Sequence, residues 1–203
     1  MRVILSGLFA LAAFAAPAHA QVSDQQWAAC ENAENKLTTD QALKGCTDLI
    51  ATGKLLGEDL ANAYALGGDW LADKGDYAKA IASYGEAIKA APKYSGAYNN
   101  RGLAYMASGD AKNALADYTQ AIRLGPKTSS RYYNRGLASA KLGDHLGAIG
   151  DFSQAIVMDK DNAAAYRARG DSKTARKDVN GAAADYAIAA KLSPETPKPN
   201  PKP

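Results

Sequence analysis

Residues 95–128 read SGAYNNRGLAYMASGDAKNALADYTQAIRLGPKT, and this stretch of 34 residues decides the fold. Counted from Ser95, positions 4, 8 and 11 and positions 20, 24 and 27 are all small or aromatic. Both sets have the spacing i, i+4, i+7, which places each set along one face of an α-helix. Between the two sets lies Gly109-Asp110, a turn signal. The stretch therefore predicts two antiparallel helices joined by a tight turn.

The same pattern recurs at a period of 34 residues, without insertion, in residues 61–94, 129–162 and 163–196. In all four units position 4 is Tyr, position 8 is Gly, position 20 is Ala, position 24 is Tyr or Phe, and position 27 is Ala. A Gly in a helix interior costs about 1 kcal/mol relative to Ala. A glycine present in every unit therefore predicts close approach of the second helix at its Ala, with the position 24 ring packed beside that contact.

The unit resembles a tetratricopeptide repeat, with an aromatic residue at position 4, Gly at 8, Ala at 20, an aromatic residue at 24, Ala at 27 and, in three units, Pro at 32. The resemblance implies an all-α, right-handed superhelical solenoid of antiparallel helix hairpins. It also implies that the first helices line a concave groove that binds a peptide or a protein segment. One departure is position 4, which is Tyr where Trp is usual.

The resemblance places groove residues at positions 2, 5, 9, 12 and 13 of each unit. It implies a groove that is acidic in the first unit, apolar in the middle and mixed toward the end. Asn99 is expected to hold peptide backbone, and Lys141 and Arg167 to take a carboxylate. The four apolar residues from Leu103 to Leu137 are expected to form an anchoring pocket. Exposure to water without a binding role is the alternative for each of them. The candidate groove residues are Asn62, Asp69, Asn99, Leu103, Met106, Tyr133, Leu137, Lys141 and Arg167.

Positions 7 and 23 change together. The last three units have Arg at position 7 and Asp at position 23, whereas the first unit has Gly67 and Ser83 and so lacks both partners. This joint change predicts a pair between Arg and carboxylate that orients the two helices of one unit. A row of arginines that binds anionic ligands remains the alternative. The predicted pairs are Arg101 with Asp117, Arg135 with Asp151, and Arg169 with Asp185.

Residues 21–60 precede the repeats, and residues 23–56 of this segment fit the same frame. Cys30 then falls at position 8 and Cys46 at position 24, where the repeats carry Gly and an aromatic residue. An even number of cysteines in an exported protein indicates a disulfide. We therefore expect a degenerate hairpin closed by a Cys30–Cys46 disulfide, with residues 57–60 as one extra helical turn. A redox protein or enzyme that uses these two cysteines is the alternative.

The first 20 residues have the pattern of a signal peptide. Arg2 precedes an apolar run over residues 3–16, and Ala18-His19-Ala20 is a cleavage pattern. The run is shorter than the roughly 20 residues that a membrane-spanning helix needs. We expect a mature chain that starts at Gln21, does not insert into the membrane, and is secreted to a bacterial periplasm.

The C-terminal end has two further features. Residues 197–203 contain four prolines and predict a disordered tail. The second helix of the fourth unit is rich in alanine and has no capping helix after it, so a homodimer or a self-assembling element formed through that helix is a hypothesis. The alanines are Ala182, Ala183, Ala184, Ala187, Ala189 and Ala190.

Composition and motifs argue against other function classes. The net charge of +3, from 24 basic and 21 acidic residues, gives no electrostatic footprint for nucleic acid. No nucleophile, base and orienting group can be assembled into a catalytic site, and we expect no cofactor. His145 lacks companions at metal-ligand spacing, and we read it as a solvated turn residue. The sequence therefore predicts a non-enzymatic scaffold or adaptor for protein–protein interaction.

Overall fold

The computed structural model describes residues 22–193 and contains, in that range, ten α-helices and no β-strand. The predicted all-α fold is therefore confirmed. The predicted signal peptide, residues 1–20, and the Pro-rich tail, residues 197–203, lie outside the described residues. The helices are α1 (Asp24–Glu31), α2 (Thr39–Ala51), α3 (Gly57–Asp73), α4 (Tyr77–Ala90), α5 (Ser95–Ala107), α6 (Ala111–Leu124), α7 (Ser129–Lys141), α8 (His145–Met158), α9 (Ala163–Ala175) and α10 (Val179–Leu192).

The second helix of each repeat starts directly after the predicted turn. In the second repeat Gly109 has a φ of 92°, a conformation that favours glycine. Asp110 then caps α6, because its Oδ1 accepts a hydrogen bond from the backbone N–H of Asn113 at 3.1 Å. In the fourth repeat Lys177 occupies the glycine position with a φ of 65°, and Asp178 caps α10 in the same way. The turn geometry is thus kept without glycine in the last unit.

Each repeat is held together where the glycine of its first helix meets the aromatic ring of its second. A Cβ built on Gly102 lies 2.7 Å from Cε1 of Tyr118, closer than real side chains approach. The ring therefore packs directly over the glycine, not beside a contact between glycine and alanine as the sequence had suggested. The position 20 alanines, at most 2% exposed, are buried next to it. The equivalent pairs are Gly68 with Tyr84, Gly136 with Phe152, and Gly170 with Tyr186.

The helices form two layers. Helices α1, α3, α5, α7 and α9 each contact the next member of this series, and every helix also packs against its neighbour in sequence. Among the described residues there is no such contact between consecutive members of α4, α6, α8 and α10. The first helices therefore form the inner layer of a curved solenoid and the second helices form the outer layer. The inner layer provides the concave face.

The predicted Arg–Asp pairs cross the two helices of a unit. Arg101 Nε and Nη2 donate to Asp117 at 2.7 and 2.8 Å. The guanidinium also lies 5.8 Å from the ring centroid of Tyr98, at position 4 of the same unit. In the first unit, which lacks the pair, the Ser83 hydroxyl donates to the Tyr64 carbonyl at 2.7 Å. The other two pairs, at 2.6–2.9 Å, are Arg135 with Asp151 and Arg169 with Asp185.

The N-terminal hairpin packs on the first repeat around a disulfide. Cys30 on α1 and Cys46 on α2 form the predicted bond, and both residues are buried. They share a core cluster with Leu49, Leu55 and Ala63. Trp70 on α3 donates from Nε1 to the Cys30 carbonyl at 2.8 Å, which ties the hairpin to the repeats. Helix α3 begins at Gly57, so residues 57–60 form the expected extra turn.

The far end of the described chain carries an open apolar face. On α10, Val179 is 71% exposed, and Tyr186, Ile188 and Leu192 are each more than a third exposed. Four of its six alanines are exposed as well, whereas Ala182 and Ala189 face α9 and are buried. No helix in residues 22–193 is both long enough and apolar enough to cross a membrane.

Candidate functional site

The candidate groove residues all lie on the inner-layer helices. Because these helices run side by side, positions that repeat every 34 residues form rows across the concave face. Asn62 and Asp69 lie on α3, and Arg167 lies on α9. The residues on the two middle helices are Asn99, Leu103 and Met106 on α5, and Tyr133, Leu137 and Lys141 on α7.

A pocket of about 380 Å³ opens between α3 and α5. Its walls are largely apolar, and its polar groups are few. The side chains of Asp69 and Asn100 meet in it, and Asp73 stands exposed at its edge. The remaining lining residues are Ala72, Tyr77, Tyr84, Leu103, Ala104 and Ala107.

One carboxylate oxygen organises the polar part of this pocket. Asp69 Oδ1 accepts hydrogen bonds from the Tyr84 hydroxyl at 2.7 Å and from Asn100 Nδ2 at 2.9 Å. Burial raises the pKa of Asp69 above its ordinary value, and Asp73 adds to the rise, although the two hydrogen bonds oppose it. Three helices, α3, α4 and α5, thus hold one fixed, partly buried acceptor.

This arrangement changes along the solenoid with the residue at position 9. In the fourth unit Asp171 accepts from the Tyr186 hydroxyl at 2.9 Å, as Asp69 does from Tyr84. In the second and third units position 9 is Leu103 and Leu137, which cannot accept a hydrogen bond. The acidic character predicted for the start of the groove therefore concentrates at Asp69, in a pocket between two repeats.

The two predicted asparagines are already engaged in the structure. Asn62 Oδ1 accepts from the Tyr94 hydroxyl at 3.3 Å, and Asn99 Nδ2 donates to Asn100 Oδ1 at 3.1 Å. Asn99 thereby orients Asn100, whose own amide holds Asp69. A peptide backbone that uses Asn99 would have to exchange this hydrogen bond.

The four apolar candidates are distributed over different places. Leu103, 45% exposed, lines the pocket with Asp69. Met106 packs on the cluster formed by Ala114, Tyr118 and Ala138. Tyr133 lies against Phe152, with ring centroids 5.7 Å apart, and belongs to a different cluster. Leu137 is half-buried on the same helix.

The basic candidates stand at the other end of the groove. Lys141 is exposed at the end of α7, at the position that Asp73 occupies in the first unit. Arg167 is exposed on α9. The inner surface thus carries Asp69 and Asp73 on α3, apolar residues in the middle, and both signs toward the end, where Lys141, Arg167 and Asp171 lie on α7 and α9.

The arginines at position 7 serve the fold. In each arginine, Nε and Nη2 donate to the carboxylate of the same unit, so few N–H groups of the guanidinium remain for an anionic ligand. The hydrogen bond to Asp117 raises the pKa of Arg101, although burial opposes the rise. The structure therefore favours the structural interpretation over the row of ligand-binding arginines.

His145 is not a solvated turn residue as the sequence suggested. It is the first residue of α8 and is partly buried, and its Nδ1 has no hydrogen-bond partner within the described chain. Residues 22–193 contain no group of three or more His, Cys, Asp or Glu side chains placed to hold a metal ion.

Sequence reasoning missed Asn100, Tyr77 and Tyr84 as parts of the pocket. Tyr84 was given a packing role only, and Asn100 stands at position 6, outside the implied groove set. One signal was present. Asp at position 9 occurs only in units that have Tyr at position 24, although the second unit combines Tyr118 with Leu103.

Three family models match the repeat region. One, described as TPR repeat, matches residues 68–109, and two described as Tetratricopeptide repeat match residues 95–127 and 132–197. No curated protein sequence matches the chain significantly.

Several solved structures share the architecture. MamA from Desulfovibrio magneticus RS-1 superposes with a TM-score of 0.76 at 19% identity, over 87% of this chain and 100% of that one. A tetratricopeptide repeat protein from Parabacteroides merdae superposes with a TM-score of 0.74 at 17% identity, over 84% of this chain and 66% of that one. YrrB, described as a TPR protein with an unusual peptide-binding site, superposes with a TM-score of 0.67 at 22% identity, over 75% of this chain and 77% of that one. These similarities establish a shared fold.

Proposed function

Because the chain belongs to the tetratricopeptide repeat family, we propose that it is a non-enzymatic adaptor whose concave groove binds a segment of another protein. The observation that carries the proposal is the pocket between α3 and α5, which combines apolar walls with one fixed acceptor. A pocket of this kind is the usual form of a binding site. YrrB, which shares the fold, is described by its peptide-binding site.

The state of the two cysteines supports a scaffold over a redox protein. A redox-active pair needs a sulfur that a partner thiol can reach. Cys30 is 0% exposed and Cys46 is 1% exposed, and the bond between them lies inside the core of the N-terminal hairpin. An inert structural disulfide fits this burial.

The adaptor is proposed to act in a cell envelope, in a bacterial periplasm. The support is the N-terminal sequence pattern, with Arg2, an apolar run and an Ala-x-Ala site, together with the disulfide, because oxidising compartments favour disulfides. N-terminal sequencing of the protein released by osmotic shock tests this. A chain that starts at Gln21 is expected, and a chain that retains residues 1–20 and stays with the cytoplasm would contradict it.

Cross-linking followed by a pull-down from the native envelope tests the groove. The groove variant carries Leu103→Lys and Lys141→Glu, two exposed positions on α5 and α7. The matched control is Val157→Glu, which is 69% exposed on α8 in the outer layer. We expect the groove variant to lose its partner at least tenfold, and the control to retain it. Equal recovery with a groove variant that melts like the wild type would contradict the proposal.

The exposed apolar residues of α10 favour a second candidate, self-association through that helix. Val179 is 71% exposed and Ile188 is 38% exposed on the same helix, and contiguous exposed apolar residues mark association surfaces. Sedimentation equilibrium at high concentration tests it, with Ile188→Asp as the disrupting variant. A dimer that Ile188→Asp dissociates supports this candidate, and a monomeric mass removes it.

A further inference from the structure

We propose that the pocket between α3 and α5 binds one basic side chain, a lysine or an arginine, of the segment held in the groove, with Asp69 as its counter-ion. The inference rests on the proposed function, because it gives the chemistry of one residue in the bound segment. It predicts that the bound segment carries a positive charge at the α3 end of the groove.

The shape of the pocket fits a long side chain with a charged end. Its walls include the methyl groups of Ala72, Ala104 and Ala107 and the side chain of Leu103. Such walls suit the methylene stem of lysine or arginine, which packs on apolar surface while its charged end seeks an acceptor. The acceptor, Asp69, lies in the same pocket and is partly buried. Stem and charge can therefore be satisfied together.

The hydrogen bonds of Asp69 leave it prepared for a cation. Both donors, Tyr84 and Asn100, bind the same oxygen, Oδ1. They are neutral groups, so they orient the carboxylate without neutralising it. Oδ2 is the oxygen that an ammonium or a guanidinium would engage in a charge-assisted hydrogen bond.

The cations near this pocket are paired with other carboxylates. Lys74, next to Asp73 in sequence, forms an ion pair with Asp40 on α2. Lys79 on α4 pairs with Asp76 at 2.7 Å. Asp73 meanwhile raises the pKa of Asp69, as expected for a second negative charge nearby. The pocket thus has negative charge that the surrounding structure does not balance.

The other ligand classes fit this pocket less well. An acidic side chain would be repelled by Asp69 and Asp73. An apolar side chain would cover Asp69 and remove water from it without supplying a counter-charge, which is unfavourable for a carboxylate. Selection against both classes gives specificity as well as affinity.

The internal repeat indicates that this preference belongs to one place in the groove. One unit further along, Leu103 stands at the position of Asp69, and two units further along, Lys141 stands at the position of Asp73. The carboxylate of Asp171 in the fourth unit accepts a hydrogen bond from Tyr186, and within residues 22–193 no helix follows α10 to close a pocket over it. One basic side chain is therefore expected at the α3 end of the bound segment.

The test is a titration of the protein with Nα-acetyl-lysine methylamide, whose ε-ammonium group stays charged. NMR of the Asn100 side-chain amide monitors the binding. The uncharged probe is N-acetyl-norleucine methylamide, which has a similar stem. The variant is Asp69→Asn, which can still accept from Tyr84 and Asn100. Its matched control is Asp171→Asn, which alters the same Asp–Tyr hydrogen bond in the fourth unit.

We expect the lysine probe to cause a saturable shift of the Asn100 amide in the wild type and in Asp171→Asn. Affinity should fall at least tenfold in Asp69→Asn and at least tenfold for the norleucine probe. Equal affinity of the two probes, or unchanged affinity in a folded Asp69→Asn variant, would overturn the inference. Failure here with a positive groove pull-down leaves the proposed function intact, whereas probe binding with a negative pull-down contradicts the proposed function alone.

Discussion

Arg135 on α7 donates two hydrogen bonds to Asp151 on α8, at 2.9 and 2.6 Å, and its guanidinium lies 5.5 Å from the ring centroid of Tyr132. The same three groups recur in the second and fourth repeats. Asp151 is 8% exposed, so loss of its charge would leave the arginine partly buried without a counter-ion. This pair therefore joins the two helices of one unit across their interface.

Replacing Asp151 by Asn should weaken the fold. Asn keeps the size of the side chain but supplies one acceptor and no charge for Arg135. We expect the free energy of unfolding to fall by about 1.5–3 kcal/mol, the range for hydrogen bonds to charged groups. Urea unfolding followed by circular dichroism measures it. Asp161→Asn on an exposed loop is the control, and equal stabilities of the two variants would show that the pair does not contribute.

Two glycines of the third repeat should respond to alanine with opposite signs. A Cβ at Gly136 would lie 2.7 Å from the Phe152 ring, whereas one at Gly150 meets nothing within 4 Å. Gly150→Ala should stabilise by up to about 1 kcal/mol, the helix propensity difference. Gly136→Ala should destabilise, because the ring or the helix must move. Thermal melting of both variants measures the two changes in stability. A Gly136→Ala variant that is more stable than the wild type would contradict the close helix contact.

The period of 34 residues was sufficient to predict the hairpins and the Arg–Asp pairs, because both form within one repeat, whereas the partner of the glycine proved to be the position 24 ring and not the position 20 alanine. The joint absence of Arg and Asp in the first unit identified the partners in advance. The pocket of Asp69 and Asn100 was not predicted, because it depends on how one hairpin lies against the next. The expected apolar pocket also depends on how neighbouring hairpins pack. In the structure two of its predicted members, Met106 and Tyr133, belong to separate clusters.

The pH dependence of stability should reveal the environment of Asp69. Its pKa is raised by burial, so the folded state binds a proton more readily than the unfolded chain. Its contribution to stability therefore decreases as the pH rises through the folded pKa. Asn is neutral at every pH and can accept the same hydrogen bonds from Tyr84 and Asn100. We expect the melting temperature of Asp69→Asn to be higher than that of the wild type at pH 7.5, and the difference to disappear toward pH 4.

Asp185 provides the opposite case and serves as the control. Burial alone would raise its pKa, but hydrogen bonds from Arg169 and Lys173 outweigh burial, and the pKa lies below its ordinary value. Its stabilisation is present above the unfolded pKa, roughly 3.9, and is lost as the pH falls through the folded value. Asp185→Asn should therefore melt below the wild type at pH 7.5. An Asp69→Asn variant that behaves like Asp185→Asn would show that Asp69 is a structural residue.

Removing the disulfide should loosen the N-terminal hairpin more than the repeats. The Cys30–Cys46 bond joins cysteines with a sequence separation of 16, and for a loop of this size the chain-entropy model gives about 3 kcal/mol. In a solenoid each unit contacts only its neighbours, so the loss should stay local. In the Cys30→Ser/Cys46→Ser variant, amide hydrogen exchange should accelerate in α1 and α2 while α7 and α8 remain protected. Equal acceleration in all four helices would contradict local action.

The most direct measurement is site-specific photo-cross-linking in cells that naturally produce the protein. p-Benzoylphenylalanine is placed at Leu103 on the inner layer and, in a separate variant, at Val157 on the outer layer. Mass spectrometry then identifies the cross-linked peptide. The proposed adaptor function predicts that Leu103 captures one short segment of a partner protein and that Val157 does not capture it; the inference about the Asp69 pocket adds that this segment contains a lysine or an arginine. Capture of the same partner from Val157, with no cross-link from Leu103, would contradict the proposed concave binding site.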